Sequence, residues 1–169
     1  MDPHMVSSVT RLSDDELLAR VKRLAQRERE ATASLIAHLA EMDRRRLYLS
    51  EGCSSLFTYC TQVLDLSEHA AYGRILAARA VRKFPVLLEM LESGPVNLTT
   101  VGLLAAHLTP ENHREVLDMA RHKSKRAVEE LVARLRPQPP VPSLVRRLPV
   151  VSHSTASPPL QHDAAARPE

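Results

Sequence analysis

Residues 56–82, LFTYCTQVLDLSEHAAYGRILAARAVR, confine the chain to a narrow set of folds. They read as a short amphipathic helix, a tight break at Leu64-Asp65-Leu66-Ser67, and a second helix capped by Ser67. Serine suits that cap because its hydroxyl accepts a hydrogen bond from a free N–H of the first helical turn. Two helices that cross steeply over so short a break need small or apolar residues where they face each other. Ala71 and Ile75 fit the inward positions of the second helix, and Leu66 fits the apolar residue of the turn. Val63 and Leu64 can close the first helix against them. Asp65 stands where glycine is usual, at a position that often needs φ > 0, which Asp tolerates better than most residues. This is the sequence form of a helix-turn-helix, a motif that sets its second helix in the DNA major groove. An ordinary helical hairpin with a solvated polar face has the same form.

Composition points to helices throughout. Apolar residues make up 44% of the 169 positions, yet aromatics are only 3% and Trp is absent. Strands favour β-branched and aromatic residues, and four glycines leave little turn chemistry for hairpins. The expected fold class is all-α: a multi-helix bundle with a long N-terminal helix and an embedded helix-turn-helix, followed by a disordered Pro-rich tail. The formal net charge of +3 and a pI near 9.1 are mildly basic, so only the placement of charge can argue for nucleic acid. Cys53 and Cys60 read as two reduced thiols, with no CxxC or HxxxH beside them to make a zinc site. No apolar run reaches the length of a membrane span, and no charged-then-apolar leader opens the chain. A cytoplasmic protein without membrane contact is expected.

Along the chain, MDPHM reads as a tag remnant, and residues 1–12 as a disordered start. Ser13-Asp14-Asp15-Glu16 is a capping box, and a helix over 13–47 follows it. Leu17, Val21, Leu24, Ala31, Leu35 and Met42 form its apolar stripe, interrupted by Glu28 and His38. A helix of about 50 Å is seldom buried by one small domain, so the stripe packs either on a second copy or across the other helices. Ser54 or Ser55 caps the next helix. Pro85 opens a short one closed by Ser93-Gly94-Pro95, and Asn97 or Thr99 caps a helix through Leu108. Thr109-Pro110-Glu111 restarts a helix to about His122, and Ser124 caps the last one, to Arg136. The helical domain therefore covers 13–136. Residues 137–169 hold eight of the twelve prolines and read as a disordered linker or tail.

The outward positions of the second helix are expected to be Glu68, His69, Tyr72, Gly73 and Arg74, with Arg79, Arg82 and Lys83 further along. Arg pairs with guanine edges, while Tyr and His bond phosphates or stack. Arg121-His122-Lys123-Ser124-Lys125-Arg126 carries four permanent positive charges with no acid between, suited to phosphate contacts or to a solvated loop. The candidate DNA contacts are therefore Ser67, His69, Tyr72, Arg74, Arg79, Arg121, Lys123, Lys125 and Arg126. Arg44-Arg45-Arg46 is similarly suited to phosphate contacts, or it offsets the dipole at a helix end. Asp14-Asp15 and Glu129-Glu130 read as capping or solvated acids. No Gly-rich phosphate loop, GxSxG elbow or Cys/His pair is recognisable, so no catalytic residue, cofactor or metal is expected.

Two resemblances extend this reading. LSDDELLARVKRL, ATASLIAHLAEMDRRRLYLSEGCSSLFTYCTQVL, LSEHAAYGRILAARA and LTPENHREVLDMARHKSKRAVEELVARLRP resemble the N-terminal helical region of a bacterial HNH endonuclease family. In that family a Pro-rich linker leads to a C-terminal HNH nuclease domain, whose His base and metal-binding residues have no counterpart here. The run from Phe57 to Leu135, with FPVLLEMLESGPVNLTTVGLLAAHL and EVLDMARHKSKRAVEELVARL, also looks like the central region of ParB-type partition proteins, without that family's nucleotide-binding motifs. Both imply a non-catalytic module that binds double-stranded DNA, and the long helix adds a homodimer as a second expected partner. The alternative is a protein-interaction or dimerisation module built on helix 13–47, with no DNA binding; a catalytic fragment is the third reading.

Overall fold

The computed structural model describes residues 9–135. Among them are seven α-helices, a 3-10 turn and no strand, the all-α architecture expected from composition. The Pro-rich tail expected at 137–169 and the first eight residues lie outside the described residues. Residues 9–12 close a turn, in which the Leu12 N–H donates to the Val9 carbonyl at 3.2 Å.

Helix α1 (Asp14–Arg45) begins at a complete capping box: the Ser13 N–H donates to the Glu16 carboxylate at 2.9 Å, and the Ser13 hydroxyl accepts from the Glu16 N–H. It stops short of the expected Leu47 because Arg46 turns left-handed at φ 55°, and Leu47–Leu49 tighten into the 3-10 turn. Helix α2 (Leu56–Gln62) takes Ser55 as its cap, whose hydroxyl accepts from the Thr58 N–H at 3.0 Å. Helix α3 (Glu68–Lys83) is capped by Ser67, which accepts from the Ala70 N–H at 3.3 Å.

The break between α2 and α3 follows the expected chemistry. Asp65 sits at φ 50°, the Leu64 N–H donates to the Tyr59 carbonyl, and the Leu66 N–H donates to the Cys60 carbonyl at 3.0 Å. The turn thereby satisfies carbonyls that the end of α2 would leave free.

Helices α4 (Val86–Ser93), α5 (Leu98–Leu104), α6 (His113–Ala120) and α7 (Lys125–Leu135) complete the bundle. Gly94 ends α4 at φ 94°, where a side chain would both strain the backbone and meet the Arg29 guanidinium. Asn97 caps α5, which ends at Leu104, four residues before the expected Leu108. Helix α6 starts three residues after Pro110, because Thr109 and Asn112 bond to each other's backbone at 2.7 and 3.2 Å and hold a turn there.

Helix α3 is the centre of the bundle and packs against α1, α2, α4 and α5. Its buried side is Ala71, Ile75, Ala77, Ala78, Ala80 and Val81. Ala71 and Ile75 thus occupy the inward positions expected of them. Helix α5 bridges α3 to α7, and α6 lies on α7. Ile36, Leu87, Val101, Leu104, Val116, Leu117 and Val128 fill the space between. Cys53 and Cys60 are free thiols buried in this core, and burial pushes the Cys60 thiol up, against the pull of the nearby Arg74 charge.

The apolar stripe of α1 is not what faces the bundle. Ala33, Ile36, Leu39 and Ala40 are the buried residues of this helix. Ile36 follows Leu35 by one residue and so lies about 100° further round. Leu35 and Met42 touch the core only at its edge, and Leu17, Leu18, Val21 and Leu24 stand in solvent, the last three each more than half exposed. Periodicity found the helix and left open what its stripe packs on, since two stripes compete and only the neighbours decide which enters the core.

The left-handed turn residue gives a direct test. Asp65→Val is expected to lower stability by about 1–2 kcal/mol in urea unfolding, while Asp65→Gly changes it by less than about 1 kcal/mol.

Candidate nucleic-acid interface

The side of α3 away from the bundle carries Glu68, His69, Tyr72, Arg79, Arg82 and Lys83, all exposed. Tyr72, Arg79 and Lys83 are seven and four residues apart, which stacks them along one side of the helix. Tyr72 is 65% exposed, unusual for an aromatic residue in a small domain and suited to stacking or to a phosphate hydrogen bond. The Ser67 hydroxyl is occupied as the cap of α3.

Arg74 does not share this side. It follows Tyr72 by two residues, about 200° round the helix, and is half-buried on the flank facing α1. Its guanidinium bonds back to the Ala70 carbonyl at 3.2 Å. The outward placement expected for Arg74 and Gly73 is therefore corrected: both are half-buried, and helical geometry forbids Tyr72 and Arg74 from presenting together.

Arg79 is exposed but held. Its Nε lies 3.2 Å from Asp43, and Arg82 reaches the same carboxylate at 3.8 Å, so the end of α1 is tied to the second half of α3. The basic run 121–126 is also partnered, though no acid lies within it. Arg121 pairs with Asp118 at 2.8 Å, Lys125 with Glu129 at 3.7 Å and Arg126 with Glu130 at 3.2 Å. The acids come from one helical turn before or after, a spacing that brings side chains together on a helix. Exposed pairs of this kind contribute about 0–1 kcal/mol and exchange readily for another anion. Among the described residues, Lys83, Arg114 and Lys123 have no carboxylate within ion-pair distance.

Three adjoining recesses connect these groups. Arg79 and Lys83 line a small one against Ala105 and Ala106. Lys83 also lines a cleft of about 530 Å³ with Phe84, His113, Arg114, Asp118 and Arg121. Arg121 in turn lines a third, of about 550 Å³, with Lys123, Glu130 and Arg134. Phe84 and His113 stack at 5.0 Å in the wall of the middle cleft. The loop that brings Arg121 and Lys123 here is pinned from below: His122, at φ 54°, donates its N–H to the Pro95 carbonyl at 2.8 Å.

The structure thus brings Arg79, Arg121 and Lys123 into one succession. Lys125 and Arg126 lie on the following helix, outside the three recesses, and His69 and Tyr72 lie at the far end of α3. Lys83, expected on the outward side though not among the candidate contacts, continues the spacing of Tyr72 and Arg79. Arg114 and Arg134 carry no signal in the sequence, because nothing local relates α6 and α7 to the end of α3.

Among the described residues, no group of three His, Cys, Asp or Glu side chains converges as a metal site would, and no helix is long and apolar enough to cross a membrane. Comparison with protein families, curated proteins and solved structures gives no match to this chain.

Asp43 is the one acid that restrains the exposed side of α3. Asp43→Asn is expected to cost about 1–3 kcal/mol, more than an exposed pair would, because the Asp43 carboxylate is only 12% exposed and serves two arginines. Urea denaturation of the variant against the parent chain measures this.

Proposed function

We propose that the helical domain is a non-catalytic module that binds double-stranded DNA, laying α3 along a groove and gripping phosphates beside it. One observation carries the reading. Lys83 and Arg121 are each shared by neighbouring recesses, so Arg79, Lys83, Arg114, Arg121, Lys123 and Arg134 follow one another without a break. Only two acids, Asp118 and Glu130, line the same recesses, and both are already paired. A chain of cations of this kind suits a polyanion with regularly spaced charges, because each phosphate neutralised releases condensed counterions. Tyr72 and His69, at the exposed start of α3, are the groups nearest to a role at base edges or sugar. The left-handed Asp65 turn and the inward Ala71 and Ile75 support the helix-turn-helix reading. So does the resemblance to the helical region that precedes HNH nuclease domains.

Fluorescence anisotropy with a labelled duplex tests this. Affinity is expected to fall steeply between about 50 and 200 mM salt, and Lys83→Ala and Arg121→Ala should each lower the salt slope by about one. Tyr72→Ala is expected to weaken binding, whereas Arg74→Ala leaves it nearly unchanged. Binding that is absent at low salt, or insensitive to both cation removals, sinks the reading.

A second reading rests on a separate observation, the exposed Leu17, Val21 and Leu24 at the start of α1. Their alternating spacing of four and three residues is that of a coiled-coil seam, so the partner proposed for it is a second copy of the chain. Light scattering is expected to give a dimer mass that becomes monomeric in the triple change Leu17→Lys, Val21→Lys, Leu24→Lys. A monomer mass for the parent chain across micromolar concentrations removes this partner.

A further inference from the structure

Arg74 has a counterpart on α1. Arg29 and Arg74 line one recess of about 460 Å³, bordered by α1, α3 and the segment from Gly94 to Thr99. Both side chains are half-buried, and in each the Nε–H is shut off from solvent with no hydrogen-bond partner. Their remaining bonds go to neutral acceptors: Arg29 donates to the Gln26 side-chain oxygen at 2.6 Å, and Arg74 to the Ala70 carbonyl. Among the described residues no carboxylate stands within ion-pair distance of either.

Withdrawing guanidinium groups from water without a counter-charge is costly, and unpaired buried donors are rare. Two such residues lining one recess leave it with positive charge that no acid in ion-pair distance offsets. Thr32 and Thr99 add hydroxyl donors to the wall. Asn97 adds its amide NH2, since its carbonyl oxygen is used in capping α5 at 2.9 Å. Gly94 leaves room for the arrangement, because a Cβ there would stand 3.0 Å from the Arg29 Nε. Glu28 is the only acid in the lining and sits exposed, where it suits a hydroxyl on the ligand better than a second negative group.

We propose that this recess binds a small phosphate monoester, its phosphoryl group held between Arg29 and Arg74 and its alcohol part lying toward Glu28. The planar fork of guanidinium matches phosphoryl oxygens, and a dianion balances the two charges that the fold leaves uncompensated. The site lies on the flank of α3 opposite Tyr72, so it is independent of the proposed DNA surface. Bound ligand would tie α1 to the loop after α4, next to the bond that already joins α1 to the last turn of α4, where the Gln26 side chain donates to the Glu92 carbonyl at 3.3 Å.

Thermal unfolding and calorimetry of the full chain test this, with glycerol 3-phosphate as the probe and both glycerol and sodium chloride of equal ionic strength as references. Glycerol 3-phosphate is expected to raise Tm above both references. Arg29→Gln and Arg74→Gln should each weaken its binding by on the order of tenfold or more, while Arg82→Gln retains it. Inorganic phosphate alone is expected to bind more weakly, because it makes no contact at Glu28. In the absence of ligand both Gln variants should fold with unchanged or higher Tm, since each removes an uncompensated charge. A lack of stabilisation relative to the matched salt, an equal response in both Gln variants and the parent, or a fall in Tm in both variants without ligand overturns the proposal. None of these measurements involves DNA, so they stand apart from the outcome of the anisotropy experiment.

Discussion

Burial of the alanine-rich side of α3 is the constraint on which the other features rest. Ala71, Ala77, Ala78 and Ala80 carry little side-chain bulk, so four helices can close on one central helix. Ile75 and Val81 fill the gaps between them. A larger residue at any of these alanines would push a neighbour outward, since interiors of this density have no spare volume. With that side committed to the core, the polar residues of α3 are sorted by helical phase alone. Tyr72, Arg79 and Lys83 go to solvent on one side, and Arg74 goes to the flank against α1.

This sorting gives the two sides different electrostatics. On the open side, cations are either free, as Lys83 is, or held in exposed ion pairs that cost little to break. Asp43, near the end of α1, is the exception: only 12% of its side chain is exposed, and it gathers two arginines. On the flank against α1, Arg29 and Arg74 are half-buried, each with its Nε–H shut off from water, and have gained no acid. The open side thus suits a large polyanion that supplies many weak contacts. The recess between α1 and α3 suits one compact anion that supplies a few strong ones.

The helix boundaries were largely legible because capping is local chemistry. Ser13, Ser55, Ser67, Asn97 and Ser124 each accept from an N–H three residues on, and such bonds need nothing from the rest of the chain. Asp65 belongs with them, since a positive φ in a tight break is a backbone requirement that Asp, Asn and Gly meet. Helix α6 starts late because the Thr109–Asn112 turn competes with helix over its first residues, and α5 ends early where the His107 N–H closes a tighter turn onto the Leu104 carbonyl at 2.8 Å. Of the candidate site, the exposure of His69, Tyr72 and Arg79 was readable from phase. Arg74 does not share the surface of Tyr72, because residues two apart on a helix of 3.6 residues per turn lie about 200° apart.

By itself, the sequence determined the all-α class, the order of the helices and most of their caps, because these depend on contacts within a few residues. It also determined that Asp65 would take the left-handed turn and that Ala71 and Ile75 would face inward. Only the tertiary structure decided which of two apolar stripes on α1 enters the core, that Asp43 would bind two arginines of α3, and that Lys83 would line one cleft with Arg114 and Arg121. The same packing brought Arg29 and Arg74 to one recess. The physical reason is common to all of these: side chains distant in sequence become neighbours only when helices dock, and docking is set by the summed burial of the whole bundle.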